Sequence, residues 1–170
     1  TASTAEPTTV TKGKPYKENW ANTKVILKKK IWTVEDKNND NYTWEDLDAG
    51  APAYNGANAT VNADDWLVSP PLHLIAGQTY ALEAGAVVGG HSGTGQRMNI
   101  AYGTGDDPTT YNEIVPTTPI SGTAFGTPTT IKTTFTPTET GDYRIGFHAV
   151  SDRPGYIIMR PVKVEEAAET

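Results

Sequence analysis

The feature that most constrains this chain is how often its apolar runs are interrupted. Val25-Ile26-Leu27, Ile31 to Val34, Trp66-Leu67-Val68, Thr79 to Val88, Arg97 to Tyr102, Thr129 to Thr136, Asp142 to Val150 and Tyr156 to Val164 are short. They are separated by clusters of Gly, Pro, Asn and Asp. Within the longer runs the apolar residues alternate: Tyr80, Leu82, Ala84 and Ala86; Met98, Ile100 and Tyr102; Tyr143, Ile145, Phe147 and Ala149. A period of two is the signature of a strand with one face buried. The run at Trp66 stops at Ser69-Pro70-Pro71, because proline cannot donate to a ladder. Residues 18–30 are the only helix candidate, and they carry no clear 3.6-residue stripe. With 16 Gly and 12 Pro in 170 residues, long helices are disfavoured. The pattern predicts eight to ten short strands in an all-β sandwich or barrel.

Charge and composition narrow the function classes. The formal net charge is −6, and the one basic run, Lys28-Lys29-Lys30, is short. Nucleic acid is therefore not expected as a partner. The chain has no cysteine, which excludes disulfides, thiolate metal sites and a cysteine nucleophile. No segment approaches the roughly 18 apolar residues that span a bilayer, so no membrane insertion is expected. Residues 1–14 are rich in Thr and lack apolar periodicity, and they read as a linker or disordered tail. Residues 15–170 read as a single domain, one monomeric module cut from a longer chain.

The stretch DKNNDNYTW, residues 36–44, places oxygen ligands at alternate positions: Asp36, Asn38 and Asp40. Such spacing can supply several of the six to eight oxygens that calcium takes. It is not an EF-hand, because position six is Asn41 rather than Gly and position twelve is Leu47 rather than Glu. The loop is incomplete alone and needs Glu18, Asp64 or Asp65 to close a structural calcium site. The alternative is an Asx-rich turn that bonds its own backbone. Asp64 and Asp65 alternate along a strand and point to opposite faces, so they do not form an acid–base pair. Gly89 to Gly95 fails as a nucleophile elbow, since Thr94 stands where the last glycine belongs. It reads as a hairpin loop. His73, His91 and His148 have no zinc-ligand spacing. Asn41-Tyr42-Thr43 and Asn58-Ala59-Thr60 match the glycosylation sequon. Trp44, Tyr54, Tyr111 and Tyr156 lie in or beside loops. Exposed rings there would stack on sugars; buried ones would plug the ends of a sandwich that has only three Phe.

Six stretches taken in order carry a family resemblance: PYKENW (15–20), WTVEDKNNDNYTW (32–44), NADDWLVSPPLHLIAGQTYAL (62–82), MNIAYGTGDDPTTYNEI (98–114), TGDYRIGFHAVS (140–151) and YIIMRPVKV (156–164). Together they resemble the cleaved-adhesin, or choice-of-anchor J, type of domain in Bacteroidetes surface and secreted proteins. The most specific piece is DDWLVSPPLHL followed by AGQTY. The resemblance implies a jelly-roll β-sandwich of galactose-binding-like or MAM-like architecture. It implies a non-catalytic extracellular adhesion or carbohydrate-binding-like module, often with bound calcium, whose partner is a glycan or host surface protein. The competing expectation is a structural spacer with no ligand of its own. On the first reading Asp36, Asn38, Asp40, Glu18 and Asp65 hold the metal, and Trp44, Tyr54 and Tyr111 contact the ligand. Two places depart from the family. Trp20 stands where Phe is common, and the closing strand reads Met159-Arg160-Pro161-Val162 where such domains carry an acidic pair.

Overall fold

The computed structural model describes residues 3, 5–46, 51–56, 58–89, 96–120, 128–152 and 155–167. The glycine-rich residues 90–95, with His91, lie outside the described residues, as does Leu47. Thirteen strands, one α-helix and one short 3-10 helix (Pro108–Thr110) are described, more strands than the eight to ten expected. They are β1 (Thr8–Thr9), β2 (Tyr16–Glu18), α1 (Thr23–Lys28), β3 (Thr33–Asp36), β4 (Trp44–Asp46), β5 (Pro52–Asn55), β6 (Asp65–Val68) and β7 (Leu72–Leu74). There follow β8 (Tyr80–Gly89), β9 (Arg97–Gly103), β10 (Asn112–Pro119), β11 (Thr129–Phe135), β12 (Gly141–Ala149) and β13 (Tyr156–Glu166).

Two sheets form a sandwich. In the first, β12 is central: β9 then β10 lie on one side, and β6 and β7 lie end to end on the other. β3 flanks β6, and β1 runs parallel to β7. The second sheet runs β11-β8-β13, with β5 and β2 sharing the far side of β13 and β4 outside β5. The alternating sets face each other between the sheets. Leu67, Leu72, Met98, Ile100, Ile145 and Phe147 from the first meet Tyr80, Leu82, Ile157, Met159, Val162 and Val164 from the second, all at most 2 % exposed. Fully burying such side chains contributes about 1.5–3 kcal/mol each. Trp32 sits at one end of this core, edge-on to Trp20 at 4.7 Å and 5.9 Å from Phe147.

Proline interrupts each sheet, and each interruption is repaired. At Ser69-Pro70-Pro71 the ladder from β6 to β7 breaks. Ser69 N–H donates to the Ile145 carbonyl at 2.9 Å, and the Ile145 N–H donates to Ser69 Oγ at 2.8 Å. On β13 the register jumps from Met159 opposite Ala86 to Val162 opposite Ala84, so Arg160 and Pro161 form a bulge against one residue. The extra residue moves the inward set from Ile157 and Met159 to Val162 and Val164. The carbonyl of Arg160 accepts from Trp20 Nε1 at 2.9 Å. The unusual Met159-Arg160-Pro161-Val162 therefore encodes a bulge, and Trp20 is its partner. Trp20 takes φ 61, a left-handed conformation costly for a bulky residue. Glu18 Oε2 accepts its N–H.

The N-terminal segment differs from the expected tail. Among its described residues, Val10 is 1 % exposed, β1 pairs with β7, and Ser3 Oγ donates to the Ile31 carbonyl at 2.7 Å. One buried side chain and two ladder residues are enough to dock a stretch without apolar periodicity. Trp66 is buried not between the sheets but on the opposite face of the first sheet, in a small cluster with Val68, Ala101 and Tyr111.

Candidate functional site

The site is built where β3 ends beside β6. Asp36 is the last residue of β3 and lies directly opposite Asp65, the first of β6. After Asp36 the chain turns through Asn39 and Asn41, at φ 53 and 66. Asparagine tolerates this left-handed backbone better than most residues, which is why the turn is Asn-rich. The turn returns Asp40 to the strand end. One carboxylate oxygen each from Asp36, Asp40 and Asp65 lies within 4.8 Å of the others. Asp65 itself is fully buried.

The hydrogen bonds around this cluster leave oxygens over. Asp36 Oδ2 accepts from Asn41 N at 2.9 Å, Asp40 Oδ1 from Tyr42 N at 3.0 Å, and Asp65 Oδ2 from Asp64 N at 3.1 Å. Asn38 Nδ2 donates to the Asn62 carbonyl at 2.9 Å and lies 3.3 Å from Asp40 Oδ2. Asp36 Oδ1, Asn38 Oδ1, Thr43 Oγ1 and Asp65 Oδ1 are buried without a hydrogen-bond partner. Four such atoms within one turn and its facing strand are far above the native norm for buried polar groups. Burial first, then the neighbouring Asp36 carboxyl, pushes the Asp65 carboxyl up to about 8. Burial and the charges of Asp65, Asp40 and Asp36 also raise the Tyr54 phenol, which stays neutral.

The donor set is all oxygen, with no ring nitrogen or sulfur. Such a set fits a hard cation, and its carboxylates and amide match calcium's preferences. Asp36, Asn38, Asp40 and Asp65 are thus brought together. Thr43 joins the buried unpartnered oxygens, and only its place beside Trp44 in the D-x-N-x-D-x-x-T-W pattern signalled it. Glu18 is not in the cluster. It sits on β2 in the other sheet, opposite Val162, and serves the Trp20 turn.

The expected ligand-contacting rings are placed differently. Trp44 is 2 % and Tyr54 1 % exposed, so neither offers a face for stacking. They pack edge to face at 6.2 Å across the β4–β5 rung, and Trp44 Nε1 donates to the Asp65 carbonyl at 3.1 Å. They wall the acidic cluster from inside. Tyr111 is half-buried and lies edge-on to Trp66 at 6.3 Å, with its hydroxyl donating to the Gly105 carbonyl at 2.7 Å. Trp66 stacks on His148 at 4.0 Å, and His148 Nε2 lies 2.6 Å from Asp64 Oδ1. Burial lowers the His148 pKa, with the Asp64 carboxylate opposing that shift. Asp64 and Asp65 therefore serve opposite faces of β6. His73 pairs with Asp142 at 3.0 Å on a separate surface.

No family model matches the sequence, and no curated protein matches it. Solved structures do match its fold. The K1 cleaved adhesin domain of Lys-gingipain from Porphyromonas gingivalis superposes with TM-score 0.69 at 16 % identity, covering 91 % of this chain and 99 % of that one. The K2 cleaved adhesin domain of the same protein gives 0.66 at 13 % identity, over 88 % and 98 %. The C-terminal CBM6 of a marine laminarinase from Zobellia galactanivorans gives 0.51 at 14 % identity, over 89 % and 99 %. In fold, the chain is a jelly-roll β-sandwich of the kind seen in cleaved adhesin domains and carbohydrate-binding modules.

Proposed function

We propose that this chain is a non-catalytic extracellular module of a larger bacterial surface or secreted protein, which binds a glycan or a host surface protein and carries one structural calcium ion. The observation behind the ion is the set of buried unpartnered oxygens around Asp36, Asp40 and Asp65. Bound there, calcium would neutralise carboxylates that otherwise repel one another and would fix the 36–44 turn against β6. Its work is structural: Asp36, Asn38, Asp40 and Asp65 hold the loop, and Trp44 and Tyr54 exclude water behind it. The binding role is supported by the sandwich shared, over nearly its whole length, with domains named as adhesins and carbohydrate-binding modules. Among the described residues no helix is long and apolar enough to cross a membrane.

A spacer without a ligand is the second reading, and one observation favours it: Trp44 and Tyr54 are core, not rim. A panel of immobilised oligosaccharides and host surface proteins separates the two. Binding by the calcium-loaded protein supports the first reading, and uniform silence leaves the spacer.

A further inference from the structure

We infer that helix α1 and the chain leading into it form a docking surface for a lipid membrane that carries anionic phosphate headgroups. The inference goes beyond the binding-module reading and stands without it. Charge is segregated along the chain. Residues 12–30 hold seven lysines and one acid, Glu18, a formal +6. All other residues together hold seven basic and 19 acidic side chains, a formal −12. All seven lysines are exposed. Lys12, Lys14, Lys17, Lys24, Lys28 and Lys30 form no ion pair with any described residue, whereas Lys37 and Lys163 do.

The helix is held by its inner face. Thr23 Oγ1 donates to the Trp20 carbonyl at 3.2 Å, Trp20 Nε1 donates to the Arg160 carbonyl, and Ile26 is buried in the core. At about 100° per residue, Thr23, Ile26 and Leu27 face inward, so Lys24, Val25 and Lys28 face out. Val25 is 37 % exposed and lies between the two lysines in sequence. Lys24 and Lys28 are one turn apart, a like-charge spacing that destabilises a helix. Lys24 also sits in the first turn, where the helix dipole disfavours a cation, and no acid joins it there. Nothing among the described residues offsets that repulsion. An anionic surface outside the molecule does.

The residue types choose the partner. Residues 12–30 contain no arginine, whose planar fork picks out single sulfate, phosphate or carboxylate groups. Lysine ammoniums on long stems are point charges, and they suit the diffuse field of a charged bilayer surface. An outward valine gains little from a sulfated or carboxylated polymer. It gains from entering the boundary between headgroups and acyl chains. The contact is peripheral and reversible, because α1 has only six residues and rests on the sandwich by its apolar face.

The test is co-sedimentation of the 170-residue chain with two kinds of vesicle: phosphatidylcholine alone, and phosphatidylcholine with about 30 % phosphatidylglycerol. Two double variants remove the same charge, Lys24→Gln with Lys28→Gln on α1, and Lys132→Gln with Lys163→Gln on the second sheet. Glutamine has nearly the helix propensity of lysine, and melting temperatures check the fold. The expected result is binding to the anionic vesicles only, weakened about tenfold or more as salt rises from about 0.05 to 0.5 M. At about fivefold per lysine, the α1 pair should weaken it about 25-fold and the sheet pair less than about twofold. Val25→Ser keeps the charge and should weaken it about twofold or more. No binding to anionic vesicles, or equal loss in both double variants, overturns the patch. Unchanged binding in Val25→Ser, or tighter binding of soluble heparin than of vesicles, overturns the lipid partner. The wild-type vesicle comparison and salt series decide the matter even if a variant fails to fold. Failure here leaves the binding-module reading as it stands, because the panel of oligosaccharides and host proteins tests that separately.

Discussion

Asp36 and Asp65 face each other across the last rung between β3 and β6, one of them fully buried. Like charges directly opposite in a sheet are destabilising. A third carboxylate, Asp40, is within 4.8 Å of both. The arrangement is stable only with a proton or a cation among the three. Asp65→Asn keeps the shape and removes the ionisation that favours the unfolded chain above its ordinary value. We expect it to raise the ion-free protein's stability at pH 7 by on the order of 2–4 kcal/mol and to weaken calcium binding at least tenfold. Chemical denaturation with and without chelator measures both.

The same carboxyl sets a pH dependence. In the ion-free protein Asp65 is pushed up to about 8, against an ordinary value of 3.8. Between those values the unfolded chain has released this proton and the folded chain has kept it. Stability of the ion-free protein therefore falls as pH rises from about 4 to about 8, by up to about 1.4 kcal/mol per pH unit from this group. Calcium requires the ionised form, so its affinity should climb with pH over the same window. Urea midpoints in chelator across that range check the first, and calcium titrations the second. A flat ion-free profile would contradict the shift.

Ser69 repairs the break that Pro70 and Pro71 make in the first sheet. Its hydroxyl accepts from the Ile145 N–H and donates to the Pro70 carbonyl at 2.9 Å, in a fully buried setting. Ser69→Ala leaves that N–H without its partner. A loss of about 1–3 kcal/mol is expected, with calcium affinity unchanged, because the bonds lie away from the acidic turn. Thermal unfolding measures the loss.

Gly146 and Gly103 make room for the rings on the outer face of the first sheet. A Cβ at Gly146 would sit 2.8 Å from the Trp66 ring, and one at Gly103 would overlap the Tyr111 ring. Gly146→Ala must push Trp66 off its stack with His148. We expect a cost of about 1–3 kcal/mol and a change in tryptophan emission. Unchanged stability and emission would show that Trp66 is not seated there.

Legibility in the sequence followed the source of each signal. Alternation placed the inward faces of β8, β9 and β12, because a half-buried strand repeats every two residues whatever surrounds it. β10 was not among the expected runs: Pro116, Pro119 and its threonines mask the period of two, yet an edge strand tolerates them. The D-x-N-x-D turn was legible as oxygen-rich, and Asp65, which opens the strand paired with β3, comes to lie beside it. Glu18 lies in the other sheet, and nothing local tells which sheet a three-residue strand joins. Trp44 and Tyr54 look like loop rings in one dimension. Only the β4–β5 pairing, which folds them inward behind the acids, makes them core. The slip at Arg160-Pro161 looked like a lost acidic site and is a bulge.

Asp36, Asn38, Asp40 and Asp65 are the residues whose ion binding matters most. Calcium titration of chelator-stripped protein by calorimetry, paired with melts, tests this most directly. At about 100-fold saturation a native-state site adds about 2.7 kcal/mol, a rise in melting temperature on the order of 5–10 °C for this size. One calcium per chain and that rise are expected, with binding at least tenfold weaker and the rise smaller in Asp65→Asn. No heat and no shift in the wild-type protein would contradict a calcium site there.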